Sequence, residues 1–355
     1  MRYSVNVTSE GPYVLRWRAA GLYPGLRWHL EVDGHDATGP LGLPATGGWQ
    51  RWQDVRRPDV WLPTGRHVLR LVADAVGPSG TSGALNYLQL DAQPLQARVV
   101  EPFNALDPSV WTATTSGVTA NGRLRMSGLD VAPRHARRTG IDLTGGVLTL
   151  RAMVPAGTRA QLLMRPDDQV AYAVSVHGGS LLVTTERQGV VEPLTLPVPY
   201  VPADMARWRL RHDTPAGLLL FETAPASGGA WTARAAVPAP PTLSSVAIEL
   251  GAAVGGNTAP DAVVEFDDLR VEAPARTCTL AVPATVSVAA DARTAELAVS
   301  TDPGCAWAVH DTPSWFSPRL RAGGIHVGVG PASVAFDVDE NPTAEFRIGT
   351  VRIGP

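Results

Sequence analysis

Apolar and polar residues alternate with a period of two in one short run after another: YSVNV, RWHLEV, HVLRLVA, VLTLRAMV, AQLLMR, SLLVTT, WRLRH, LLLFET, VEFDDLRV, AELAVS, ASVAFDV and GTVRI. Such alternation belongs to strands that bury one face. Clusters of Gly, Pro, Asp and Asn separate the runs, and nowhere does a 3.6-residue period persist for about ten residues. The chain is predicted to be all-β. Two stretches are weakly patterned and rich in Pro, Ala and Arg: DAQPLQARVVEP at 91–102 and EAPARTC at 272–278. They divide the chain into three consecutive β-sandwich domains, 1–93, 97–272 and 276–355.

Composition narrows the classes. The 35 Gly and 31 Pro show no fixed period, which fits many turns between strands rather than a fibrous repeat. No apolar run approaches the ~20 residues of a membrane-spanning helix. All 30 basic residues are Arg, and the net charge is −3. A mildly acidic chain without a basic stripe is a poor nucleic-acid binder. The start of the chain shows no charged and apolar leader.

Catalytic motifs are sparse. There is no G-x-S-x-G elbow, phosphate-binding loop, H-E-x-x-H or G-x-G-x-x-G in a strand–helix context. The eight histidines are scattered, none at metal-ligand spacing. The nearest approach to a carboxylate pair is EFDDLRVE, where alternation puts Glu265 and Asp267 on one face about 6.5–7 Å apart. A strand with one solvated face explains that pattern equally well, and no catalytic residues are assigned.

Trp49 and Trp52 stand three apart in PATGGWQRWQDV. In a strand they would point to opposite faces, so one of them is expected to face away from the core. The order YSVNVTSEGPYVLRWRAAG, LEVDG, LPATGGWQRWQDV, VWLPTGRHVLRLVA, LNYLQLDA over residues 1–93 resembles family 6 carbohydrate-binding modules. The resemblance implies a galactose-binding-like jelly roll with a sugar cleft formed by loops at one end. It assigns Tyr3 and Trp49 to clamp a sugar ring and Asn86 to hydrogen-bond it, with Tyr23 a rival for the second wall. Aromatic rings suit the C–H faces of sugars, and Gly47–Gly48 are expected to leave room beside Trp49, with Trp52 turned inward. Members of that family normally begin one strand earlier, with an acidic calcium ligand. Asp91 stands at the C-terminal calcium position without those partners, so no cofactor is expected.

Residues 97–272 resemble concanavalin-like jelly rolls, a fold shared by lectins and laminarinase-type hydrolases. The E-x-D-x-x-E strand of the hydrolase branch is not present, which favours a binding or spacer role. Trp111, Trp208 and Trp231 read as core or rim residues. Residues 276–355 resemble the BACON domain, an immunoglobulin-like sandwich, through Cys278, Cys305-Ala-Trp307, Trp315, GVGPASVAF, Asn341 and RIGTVRI. That resemblance brings Cys278 and Cys305 together as a disulfide in an exported protein, the alternative being two buried thiols in a cytosolic one.

The expectation is a non-catalytic segment of a larger secreted or surface carbohydrate-active protein, with polysaccharide or oligosaccharide as partner and further catalytic or structural domains on the same polypeptide. Alternatives are a structural segment of a phage tail or adhesion protein, and a glycoside hydrolase with an unrecognised site in the middle domain.

Overall fold

The runs that alternate in sequence become paired strands in a computed structural model, which describes all residues except 79, 115, 131, 255–261, 276–279, 292, 302–305, 320–326, 330, 331, 344 and 355. Among the described residues the only helix is a single turn at Pro202–Met205. The expected all-β, multi-sandwich class is what the structure shows.

In the first sandwich the strand Gly11–Ala20 lies between Gln53–Leu62 and Ala84–Ala92. Facing it is a sheet that runs Arg2–Val7, Gly65–Ala75, Arg27–Val32 and His35–Asp36, with Leu41–Gly42 also on Arg27–Val32. Alternation sends Leu15, Trp17 and Ala19 from one sheet against Trp28, Leu30, Leu69 and Leu71 from the other. The indoles of Trp17 and Trp28 meet at 6.3 Å with a 54° tilt, within the range favoured by aromatic pairs.

Strand resumes at Leu95–Glu101, only Gln93 and Pro94 intervening, and this strand adds to Val264–Pro274 of the next sandwich. The stretch 91–102 looks weakly patterned because Leu95–Glu101 packs on a single partner and stays largely exposed. The jelly roll stacks two large antiparallel sheets. One contains Arg134–Ile141, Val246–Val254, Thr158–Arg165, Val170–His177 and Ser180–Arg187; the other contains Val264–Pro274, Val147–Met153, Arg207–Asp213, Leu218–Ala224 and Thr232–Pro238. Its core holds Phe103, Trp111, Trp208, Phe221 and Phe266, as the alternation within WRLRH and LLLFET requires.

The same alternation places Arg207, Arg209 and Arg211 on the outer face of the second sheet. There the first sandwich docks, and residues 1–275 form one compact unit. Arg209 donates from Nε to Glu222 at 2.6 Å and from Nη1 to Glu10 of the first sandwich at 2.8 Å. Its guanidinium stacks on Trp231 at 4.2 Å and on Trp61 of the first sandwich at 5.3 Å. Arg211 stacks on Trp61 at 4.7 Å and donates to Asp213, while the Trp61 indole N–H donates to Glu10. With the side chain of Arg209 only 4% exposed, each charge in this network is satisfied by an opposite charge or a ring face.

Residues 276–355 form a separate unit. Leu297, Val299, Trp307, Val309, Phe316, Val334, Phe336 and Val338 make its core, and Phe316 stacks on Phe336 at 4.5 Å. The expected pairing of Cys278 with Cys305 falls outside the described residues.

Candidate functional site

One end of the first sandwich is built by the loops 21–26 and 43–52 and by the described residues of 76–83. The carbonyl of Gly21 accepts from the backbone N–H of Thr46 at 2.8 Å and of Gly47 at 3.3 Å, which ties the second loop to the end of strand Gly11–Ala20. The Thr46 hydroxyl accepts from Gly21 N–H at 3.2 Å and donates to the Gly48 carbonyl at 3.1 Å, so the turn that carries Trp49 is pinned from both sides. Gly47 has φ 74°, a left-handed value that glycine adopts without strain. The stem of Arg51 runs beside Gly48, occupying space the Gly-Gly pair was expected to leave for a ligand. Tyr23 lies across Gly77 so closely that a Cβ there would come within 2.7 Å of the ring. That absent side chain joins the first loop to the third.

Trp49 is 38% exposed on this end. Trp52, expected in the core, is half-buried and outside the hydrophobic cluster. Both tryptophans lie in the loop before strand Gln53–Leu62, where alternation does not apply; Trp17 and Trp28 fill the core instead.

Asn86 reaches the same end by a β-bulge. Ala20 pairs with Ala84, Ala19 with Leu85, and then Arg18 with Tyr87, which leaves Asn86 as the extra residue. The bulge lets Leu85 and Leu88, three apart, both pack on the core. Asn86 is exposed.

Tyr3 is placed differently. It sits on the edge strand Arg2–Val7 opposite Leu69, 42% exposed, its hydroxyl against Met1 Sδ at 3.4 Å. Leu69 is six residues before Ala75, the residue that pairs with Arg27 beside the loop 21–26. At about 3.3 Å per residue, Tyr3 lies some ~20 Å down the sheet from that end. The structure therefore gathers Trp49, Asn86 and Tyr23, and sets Tyr3 on the flank.

Asp91 does not suit calcium. Arg16 Nε stands 3.0 Å from one carboxylate oxygen and Gln89 donates to the other at 2.6 Å, so a guanidinium and an amide occupy the positions a cation would take. Among the described residues no group of three or more His, Cys, Asp and Glu side chains is arranged to hold a metal ion.

Glu265 and Asp267 share the outer face of their strand, as alternation predicts. Arg123 bridges them, at 3.0 Å to Glu265 and 3.3 Å to Asp267, and Arg125 reaches Glu265 at 3.0 Å. The Glu265 hydrogen bond and charge hold the Arg123 guanidinium above its ordinary pKa. Both carboxylates are thus engaged by guanidinium groups of the same chain rather than facing an open cleft as a pair.

Residues 1–92 match the family described as "Carbohydrate binding module (family 6)". A comparison with curated proteins gives no match. Among solved structures the chain is similar to an endo-β-1,3-glucanase from Pyrococcus furiosus (14% identity, 52% of this chain and 96% of that one, TM-score 0.39). It is similar also to the laminarinase from Rhodothermus marinus (16%, 52% and 99%, TM-score 0.38). The Bacteroides ovatus "Xyloglucan PUL GH43B" covers more of it (15%, 69% of this chain and 50% of that one, TM-score 0.35).

Proposed function

We propose that this chain is a non-catalytic, glycan-binding segment and that the loop end of its first sandwich is the reading surface. The observation that carries this is an exposed indole, Trp49, held on a pinned turn within residues that match a family 6 carbohydrate binding module. Trp49 offers a flat apolar face to the C–H face of a pyranose, Tyr23 forms the second wall, and Asn86 supplies an amide for the hydroxyls. Tyr3 serves a chain that extends past the end and along the flank. Glu265 and Asp267 take no part in catalysis, being bound to Arg123.

A glycan array probed with the whole chain tests the reading. Binding to a defined set of neutral oligosaccharides is expected, and its disappearance in Trp49→Ala; an array blank for the wild type contradicts it. Incubation with xylan, β-glucan or laminarin is expected to release no reducing ends. Release that stops in Glu265→Gln would establish a hydrolase instead.

The same reading implies a chain that works outside the cell, where Cys278 and Cys305 are expected to form a disulfide. Unfolded, unreduced protein purified from an oxidising compartment should show no free thiol. Two titratable thiols would contradict the pairing.

A further inference from the structure

The outer face of the second jelly-roll sheet carries two cations that the docking network leaves unused. Arg151, on Val147–Met153, faces Arg207 directly across the paired strands and Asp267 on its other side. Asp267 is engaged by Arg123. Among the described residues Arg151 makes no hydrogen bond and no ion pair, and its Nε is closed off from solvent without an acceptor. Among the described residues Arg207 meets only the Trp231 ring, 4.8 Å away. Like charges opposite one another on adjacent strands destabilise a sheet, and a desolvated guanidinium nitrogen without an acceptor adds to that cost. Four other arginines on this face have carboxylates: Arg123 and Arg125 bind Glu265, and Arg209 and Arg211 bind Glu222. Among the described residues no carboxylate of the chain pairs with Arg151 or Arg207.

We propose that Arg151 and Arg207 form a binding site for the carboxylate of an acidic glycan, a uronic acid residue, with Trp231 as the wall against which the sugar ring rests. This rests on the reading of the chain as a glycan binder but uses a surface remote from Trp49. Guanidinium forks match a planar carboxylate in a bidentate way, and the half-buried setting strengthens each charge-assisted bond. Trp231 is itself half-buried and already positioned by Arg207 and Arg209. A uronate ring there would present its C–H face to the indole and its carboxylate to the two cations.

Calorimetric titration of the whole chain with trigalacturonate, its methyl ester and inorganic sulfate at fixed ionic strength tests this. Trigalacturonate is expected to bind at least about tenfold more tightly than the ester, since bonds to charged groups outweigh neutral ones by that order. Arg151→Gln and Arg207→Gln should each lose about tenfold or more. Arg151→Gln should also melt at or above the wild-type temperature, because it removes an unmatched cation whose Nε is closed off from solvent; a merely structural arginine would lower it. Arg151→Lys, keeping the charge without the fork, should fall between. Trp49→Ala should leave trigalacturonate binding within about twofold while weakening binding of neutral glycans about tenfold or more, which separates this site from the loop end. The proposal is overturned if wild type does not bind trigalacturonate, if Arg151→Gln binds it unchanged, or if sulfate binds as tightly.

Discussion

Trp49 and Trp52 stand three residues apart, and their roles depend on where the strand begins. Because Gln53 is its first residue, both rings are loop residues and neither is needed to fill the core. Trp17, fully buried between the sheets, carries that weight. Trp17→Ala is expected to cost about 3–5 kcal/mol, as emptying an aromatic core site does, and Trp52→Ala clearly less. Chemical denaturation of the two variants measures the difference. His29, on the outer face of the five-stranded sheet, gives a pH signature. Burial works to lower its pKa, but the hydrogen bond to Asp74 at 2.6 Å and the charges of Asp36 and Asp74 outweigh it, so the folded value lies above 6.5. A raised folded value means the histidine's contribution is fully present below pH 6.5 and is lost as pH rises through the folded pKa. The melting temperature of residues 1–275 should therefore fall slightly from pH 6 toward pH 8, and this slope should flatten in His29→Asn.

At the level of the element, the bulge at Asn86 shows what period-two reading can and cannot reach. LNYLQL has leucines at 85, 88 and 90, a spacing no regular strand can send to one face. The structure resolves it with one extra residue, and that residue is the amide assigned to sugar binding. Deleting Asn86 removes the extra residue and brings Leu85, Leu88 and Leu90 into strict alternation, all on the core face. No leucine leaves the core face in that variant, so both the deletion and Asn86→Ala are expected to melt near wild type, whereas deleting Tyr87 and Asn86 together turns Leu88 and Leu90 away from the core and forfeits about 1.5–3 kcal/mol of burial for each. An Asn86 deletion variant that melts far below wild type would contradict the register. Strands and cores were legible because WRLRH, LLLFET and VEFDDLRV state their buried faces outright. Loop geometry was not: nothing in GLYPG signals that Tyr23 packs on Gly77, because that contact joins residues 54 apart in sequence through a missing side chain.

Across residues 1–275 the docking of the first sandwich on the jelly roll turns on Arg209. RWRLRH shows three arginines on one face, but only the folded chain brings Glu10 and Trp61 to them. Removing one partner of a buried ion pair strands the other, at about 3–5 kcal/mol. Arg209→Ala should therefore lower the calorimetric melting temperature of this unit, and Arg209→Met, which refills the volume but leaves Glu222 with Arg211 alone, should lower it too. Glu222 adds an acid limit. Burial works to raise its pKa, but the charges and hydrogen bonds of Arg211 and Arg209 prevail and hold it below 4.5. A depressed folded value contributes stability above pH 4.5 that is lost as pH falls through the folded pKa, so the unit should lose stability in that acid range.

Geometrically, the docked end of the first sandwich, at Glu10, is opposite the end that carries Trp49 along strand Gly11–Ala20. The loops are thus left open on a body fixed from behind. The most direct test of the central claim is calorimetric affinity for the best neutral oligosaccharide, measured on wild type and Trp49→Ala with melting temperatures alongside. Stacking of a flat ring on an aromatic contributes about 1–3 kcal/mol, so Trp49→Ala should bind roughly tenfold or more weakly at an unchanged melting temperature. Equal affinity in the two proteins would contradict the account.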